Sequence, residues 1–327
     1  MSPMKPILGA ALFAVATATL MTGGTPAAAQ DYPQQPVHIL VPVAPGGPMD
    51  MAARLLGEKL SETWGQPVVV ENRPGGGQVI ATNAVATSAP DGYTLLVMGH
   101  VFAMNPWLFE SLPYDPAALT AITQMTETPL ILVANNDLPV SSVQELIDYA
   151  RANPGEISFG SSGVSSSLRF AGELLKSMAG IEIEHVPYDG NGPMTVAIVS
   201  GEVQIGFVNP VSLPYINSGQ VKALAVTSAE RLSSLPDVPT VAETAGLEGY
   251  EAGSWFGLMA PAGTDPAIIA KVNADVNAAL LAPDVVQKLV AVDATPRGRS
   301  VEDFQAYIAS ETERWGKLIR ALDIKID

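Results

Sequence analysis

The chain has 327 residues, 33 acidic against 17 basic, a formal net charge of −16, 47% hydrophobic residues and no cysteine. That balance argues against nucleic acid and anionic membrane surfaces as partners. The missing cysteine excludes disulfides, thiolate metal sites, cysteine nucleophiles and a lipid-modified cysteine, and a chain of this length is enough for two hydrophobic cores.

Residues 1–29 read as a signal peptide. Lys5 supplies a positive start, residues 7–21 are apolar and Ala-rich, and Ala27-Ala28-Ala29 offers a small-residue cleavage site before Gln30. No second apolar stretch long enough to span a membrane follows. Export without an anchor or disulfides points to the periplasm.

From there short β-rich runs alternate with helical runs. Val37–Val41 reads as a strand, residues 51–64 as a helix ended by Gly65, 67–71 as a strand, 78–87 as a helix and 94–98 as a third strand. This βαβαβ order predicts a mostly parallel sheet covered on both faces. The middle repeats the theme: strands at 130–134, 183–186, 203–207 and 222–227, helices at 143–153, 168–179 and 193–200. A strand at 255–260 and helices at 266–281, 283–290 and 301–322 complete the chain. Two α/β halves suggest two lobes with a cleft between them, where the carboxyl ends of parallel strands and a domain interface coincide.

Three loops could carry chemistry. In Pro45-Gly46-Gly47-Pro48-Met49-Asp50 the glycines permit a sharp turn and close ligand approach, and Pro48 suits the first helical position. Asp50 can cap the helix start, whose amides can hold a carboxylate or phosphate; the plain alternative is an ordinary strand-to-helix turn. "NRPGGGQVIA" (residues 72–81) nearly matches a dinucleotide fingerprint, but Ile80 stands where Gly or Ala is required. The third, residues 160–167, carries Ser161, Ser162, Gly163, Ser165, Ser166 and Ser167, with Arg169 just inside the following helix. It reads as a polar wall for a carboxylate, although capping explains one or two of the serines and Arg169 could be a surface cation.

An enzyme is not expected. No G-x-S-x-G elbow occurs, and His38 and His185 fall on strands. Neither an H-E-x-x-H helix nor an EF-hand loop is present, so no metal or cofactor is expected.

"PGGPMD" at Pro45, "VVENRPGGG" at Val69, "PDGYTLL" at Pro90, "NP…LPYD" at Asn105 and "DVPTVAETAGLEGYEAGSWFGLMAPAGT" at Asp237 occur in order. Together they resemble the Bug-type, TctC-like substrate-binding proteins of tripartite tricarboxylate transporters over essentially the whole mature chain. The resemblance implies a periplasmic two-lobed Venus flytrap, a monomer, that delivers a small organic carboxylate to membrane permease subunits. It implies lobes at 30–130 with 252–327 and at 131–251. It also implies ligand contacts from Gly46 to Asp50, from His100, Val101 and Phe102, from the Ser-rich loop, from Tyr188-Asp189-Gly190, and from Asn209. Water bridges suit such a site. Phe102, Val101 and Met49 offer apolar surface, while Asp50 and Asp189 oppose extra negative charge. The expected ligand is therefore a mono- or dicarboxylate with an apolar, possibly aromatic, body, more than citrate; alternatively Phe102 only packs within its lobe. A sensor module presenting its ligand to a membrane kinase and, remotely, an exported hydrolase acting through Ser165 are the other function classes.

Overall fold

The computed structural model describes Met1, residues 32–244 and residues 246–326; Met1 apart, the expected signal segment and its cleavage point lie outside them. Strand β1 (Val37–Val41) pairs in parallel with β2 (Val68–Asn72) and β3 (Thr94–Gly99). Alternation along β1 sends Val37, Ile39 and Val41 into one apolar cluster and Leu40 into another, so both faces of the sheet are covered. Helix α1 (Pro48–Trp64) starts with Pro48 at its first position and ends at Gly65 in the left-handed conformation, φ 63°. Ala52, Ala53, Leu56 and Leu60 bury one face against the sheet, while Arg54, Glu58 and Glu62 hold the other in water. Helices α2 (Val79–Ala86) and α3 (His100–Leu108) follow β2 and β3.

The chain then crosses to the second sheet and back. Strand β4 (Leu119–Pro129) leads across Leu130 into β5 (Ile131–Asn135), α4 (Val143–Ala152), β6 (Ser158–Ser161), α5 (Ser167–Ala179), β7 (Glu184–Pro187), α6 (Asn191–Ser200), β8 (Ile205–Val208), α7 (Leu213–Asn217) and β9 (Val221–Val226). It returns through residues 227–252 to β10 (Gly253–Pro261), α8 (Pro266–Leu280), α9 (Pro283–Val290), β11 (Thr295–Pro296) and α10 (Val301–Ala321). The sheets run β11-β4-β10-β3-β1-β2 and β7-β6-β8-β5-β9.

The two-lobed α/β architecture is as expected, but the sheets are mixed, not mostly parallel. Strand β10 runs antiparallel to β3 and β4, and β5 runs antiparallel to β8 and β9. The reason lies in the crossings, since strands that carry the chain between lobes enter each sheet against the direction of its βαβ units. Besides the short β6, α7 and β11, two elements are absent from the sequence reading. The eleven residues of β4 are mostly buried although they read Leu-Thr-Ala-Ile-Thr-Gln-Met-Thr-Glu-Thr-Pro, and α3 is helical despite Pro106 within it.

Three links join the lobes. At the crossings, Thr227 N donates to Leu130 O (2.9 Å), Leu130 N donates to Thr227 Oγ1 (2.7 Å) and Ala252 N donates to Thr227 O (3.1 Å). The third link is α10, whose Trp315, Leu318 and Ile319 enter the core of the second lobe together with Met104 and Leu108 of α3. Gly316 permits that packing, because a Cβ there would meet Trp107 at 2.5 Å, and Ile326 N donates to Leu108 O (3.0 Å).

Candidate functional site

A cavity of about 670 Å³ lies between the lobes. Its first wall is the turn from β1 into α1. Gly46 adopts φ +92°, where a side chain would be strained, and Gly46 N donates to Asp50 Oδ2 at 2.9 Å. Asn72 Nδ2 donates to Asp50 Oδ1 (2.8 Å) and to Val43 O (3.0 Å), and Arg54 Nε donates to Asp50 Oδ2 (3.1 Å). Burial would raise the Asp50 pKa, but hydrogen bonds from Arg54, Gly46 and Asn72 outweigh it and hold the carboxyl below its usual value. Asp50 thus braces the loop from behind. A Cβ on Gly47 would meet nothing within 4 Å, so its backbone faces open space.

The second wall comes from β3. Gly99 ends the strand where a Cβ would meet Met49 Cε at 3.0 Å and Trp255 O at 3.2 Å. Beyond it His100 and Val101 open α3 and line the cavity. Neither ring nitrogen of His100 has a hydrogen-bond partner, and burial pushes its pKa down to about 4, so the ring is neutral at pH 7. Gln78, the cap of α2 in the left-handed conformation (φ 73°), completes this side.

From the other lobe, Ser162, Gly163, Ser165, Ser166 and Ser167 line the cavity before α5. Ser166 caps the helix by accepting from Arg169 N (3.3 Å), and the Ser167 and Ser254 hydroxyls meet at 2.6 Å across the cleft floor. Gly190 and Asn191 open α6 beside them, and Asn209 closes the ring.

Thus five helices of eight residues or more, α1, α2, α3, α5 and α6, begin at this cavity. Among the described residues, none that line it is Lys, Arg, Asp or Glu. A helix start presents unpaired N–H groups and the positive end of the dipole, so converging starts can hold an anion without a formal charge. Met49, Val101, Leu168, Val211 and Phe256 supply apolar surface around them.

Fourteen of the expected positions line the cavity: Pro45, Gly46, Gly47, Pro48, Met49, His100, Val101, Ser162, Gly163, Ser165, Ser166, Ser167, Gly190 and Asn209. Six lie off its lining. Asp50 is buried behind the loop. Phe102 stacks on Tyr114 (centroids 6.2 Å, 13°) inside the first lobe, the plainer of the two readings. Ser161 is fully buried, donating to Gly163 O (3.0 Å) and meeting His185 Nε2 at 2.6 Å. Arg169 turns back to donate to Val164 O (2.8 Å) and to face Glu173 (3.6 Å), so it braces the Ser-rich loop. Tyr188 donates to Glu202 (2.9 Å), and Asp189 is exposed.

Sequence reasoning missed Val43, Ala44, Gln78, Leu168, Asn191, Val211, Ser254 and Phe256. The run Gly190-Asn191-Gly192-Pro193 carried a helix-start signal for Asn191; nothing local marks β10 as the cleft floor. On that strand Ser254 and Phe256 face the ligand cavity, while Gly253 and Trp255 face a second cavity of about 480 Å³ behind it. Strand β4 alternates in step: Thr126 and Thr128 point to the cleft side, Glu127 and Pro129 to the rear.

Comparison with known proteins bears on the family and the fold. The chain matches the Tripartite tricarboxylate transporter family receptor (TctC) over residues 52–324. It is 38% identical to Protein BugT of Bordetella pertussis over 321 residues, 96% of this chain and 98% of BugT. The solved structure of R. palustris Rpa4515 with adipate superposes with a TM-score of 0.81 at 37% identity, covering 90% of this chain and 100% of that one. MatC (Rpa3494) from Rhodopseudomonas palustris with bound malate gives a TM-score of 0.77 at 34% identity, covering 88% and 100%.

Proposed function

Since this chain belongs to the tripartite tricarboxylate transporter receptor family, a family of periplasmic solute-binding proteins, we propose that its ligand is a mono- or dicarboxylate with an apolar body. One carboxylate lies at the Gly46-Gly47 turn, on Gly47 and the following amides of the α1 start, since the Gly46 N–H is given to Asp50, and the body lies along Met49, Val101 and Phe256. The lobes are residues 30–130 with 252–327 and residues 131–251. The protein is exported by its signal segment, acts as a monomer and hands its ligand to the membrane subunits of the transporter.

The observation that carries this reading is the uncharged cavity at the start of five helices. A singly charged carboxylate matches oriented dipoles, whereas a tri-anion there has no cationic side chain to meet. The adipate and malate held by the two R. palustris relatives are dicarboxylates. A thermal-shift panel of adipate, malate, hexanoate, benzoate and citrate tests it. At a ligand concentration of 100 Kd a true ligand stabilises by about 2.7 kcal/mol. Stabilisation by at least one mono- or dicarboxylate, with none by citrate, is expected; a response to citrate alone, or to none of the panel, overturns the reading.

A further inference from the structure

Strand β4 turns Thr126 and Thr128 toward the cleft, and both are almost fully buried, 1% and 3% exposed. Neither hydroxyl has a hydrogen-bond partner. Other buried threonines of the molecule are satisfied: Thr123 bonds Asn277, Thr195 bonds Asn191 O and Thr227 bonds Ala252 O. A buried hydroxyl without a partner is costly, and two of them, two residues apart on one strand, call for a common acceptor or donor.

They line a small chamber walled by Pro48 and Met51 of α1 and Phe256 of β10, with Asn209 and Val211 facing them from the other lobe. Pro48, Asn209, Val211 and Phe256 also line the main cavity, so the chamber opens off it. It has about 10 Å³ of free space, room for one water-sized group. None of its lining residues is charged. Pro48, the first residue of α1, has no N–H to offer, and neither has Pro210. A second carboxylate here would be uncompensated, whereas a neutral oxygen could exchange hydrogen bonds with two hydroxyls and the Asn209 amide.

We propose that this chamber is a subsite for a neutral oxygen at the far end of the ligand, a hydroxyl or carbonyl. The ligand is then a carboxylic acid oxygenated remote from its carboxylate. The inference rests on the carboxylate reading above and narrows it.

The test compares straight-chain acids of four to eight carbons with their ω-hydroxy counterparts by titration calorimetry. It uses the whole protein, the Thr126→Val/Thr128→Val double variant and Thr128→Ser, each checked for folding by circular dichroism. In the parent protein at least one ω-hydroxy acid should bind tenfold or more tighter than its plain counterpart. That ratio should fall below twofold in the double variant and persist in Thr128→Ser, which keeps the hydroxyl. If the double variant does not fold, the two single Val variants replace it, each expected to cut the ratio at least threefold. No advantage at any chain length, or an advantage that survives loss of both hydroxyls, overturns the subsite and leaves the chamber as a place for one water. If neither series binds while the thermal-shift panel finds another mono- or dicarboxylate ligand, the subsite is overturned and the carboxylate reading stands; if the panel finds none either, both fall.

Discussion

The two faces of the β4–β10 ribbon are built from opposite chemistry. On the front, Ser254, Phe256, Thr126 and Thr128 look into a cleft without a charged lining residue. On the rear, Glu127, Glu230, Glu251 and Glu311 share a cavity with Arg231, Arg297 and Arg314. Several of those charges are already spent on one another: Arg297 meets Glu127 at 2.8 Å and Arg314 meets Glu311 at 3.5 Å, while Arg231 pairs with Glu243 at 2.6 Å. The Trp255 and Trp315 indoles both donate to Glu311 Oε2 at 3.0 Å. The difference shows how a chain of net charge −16 can receive an anion. Formal charge is kept to the outside and the rear, and the cleft is left to backbone dipoles, whose direction is fixed by the fold.

The contrast breaks most severely if a charge is put on the front. Ser166→Asp keeps a side chain able to cap α5, so folding should be preserved. If the start of α5 shares the bound anion and comes within about 4 Å of it, the new carboxylate costs on the order of 4 kcal/mol at an effective dielectric constant of about 20. Carboxylate affinity should therefore fall by two to three orders of magnitude in calorimetry. Loss of less than tenfold would remove the start of α5 from the site.

A second way acts through pH. The His100 pKa of about 4 lies below its ordinary 6.5, so between those values the unfolded chain binds a proton that the folded chain refuses. The stability this ring contributes is fully present above pH 6.5 and is lost as pH falls toward 4, by about 3 kcal/mol. His185, pushed to about 4 by burial and by the positive charges of Arg169 and Lys176, acts in the same direction. Urea unfolding from pH 7 to pH 5 should show stability declining before most carboxylates titrate, with a shallower decline in His100→Gln. Identical slopes in the two proteins would mean the ring is not neutral in the folded state.

The smallest effect is expected on the rear. Arg297→Gln breaks a pair whose side chains are 44% and 23% exposed, and such pairs contribute about 0–1 kcal/mol. Ligand affinity should change less than twofold and the melting temperature by a few degrees at most. A tenfold change in affinity would show that the rear charges reach the cleft after all.

The legibility of these regions differed for physical reasons. Strands β1, β2 and β3 and helix α1 announced themselves because their apolar spacing is local, and Gly65 and Pro48 punctuate the helix. Strand β4 did not, because its interior positions are Thr and Gln held by long-range partners, such as Thr123 by Asn277 and Gln124 by Arg299. Helix α3 was masked by Pro106, a residue that argues against a helix interior. In the site, the glycine and serine loops were readable as helix starts. Ser254 and Phe256 were not, since which face of β10 meets the cleft depends on where the chain crosses between lobes. The resemblance placed Phe102 and Tyr188 by analogy, and their own neighbours, Tyr114 and Glu202, took them elsewhere.

The end of α10 gives the molecule a mechanical character that two crossing strands alone would not. With Thr227 pinning the crossings and Trp315, Leu318 and Ile319 anchored in the opposite core, the two halves are held like the arms of a spring clip, not the jaws of a loose trap. Halves pinned at three links have fewer relative arrangements to surrender on binding, so more of the contact energy with a solute remains as grip.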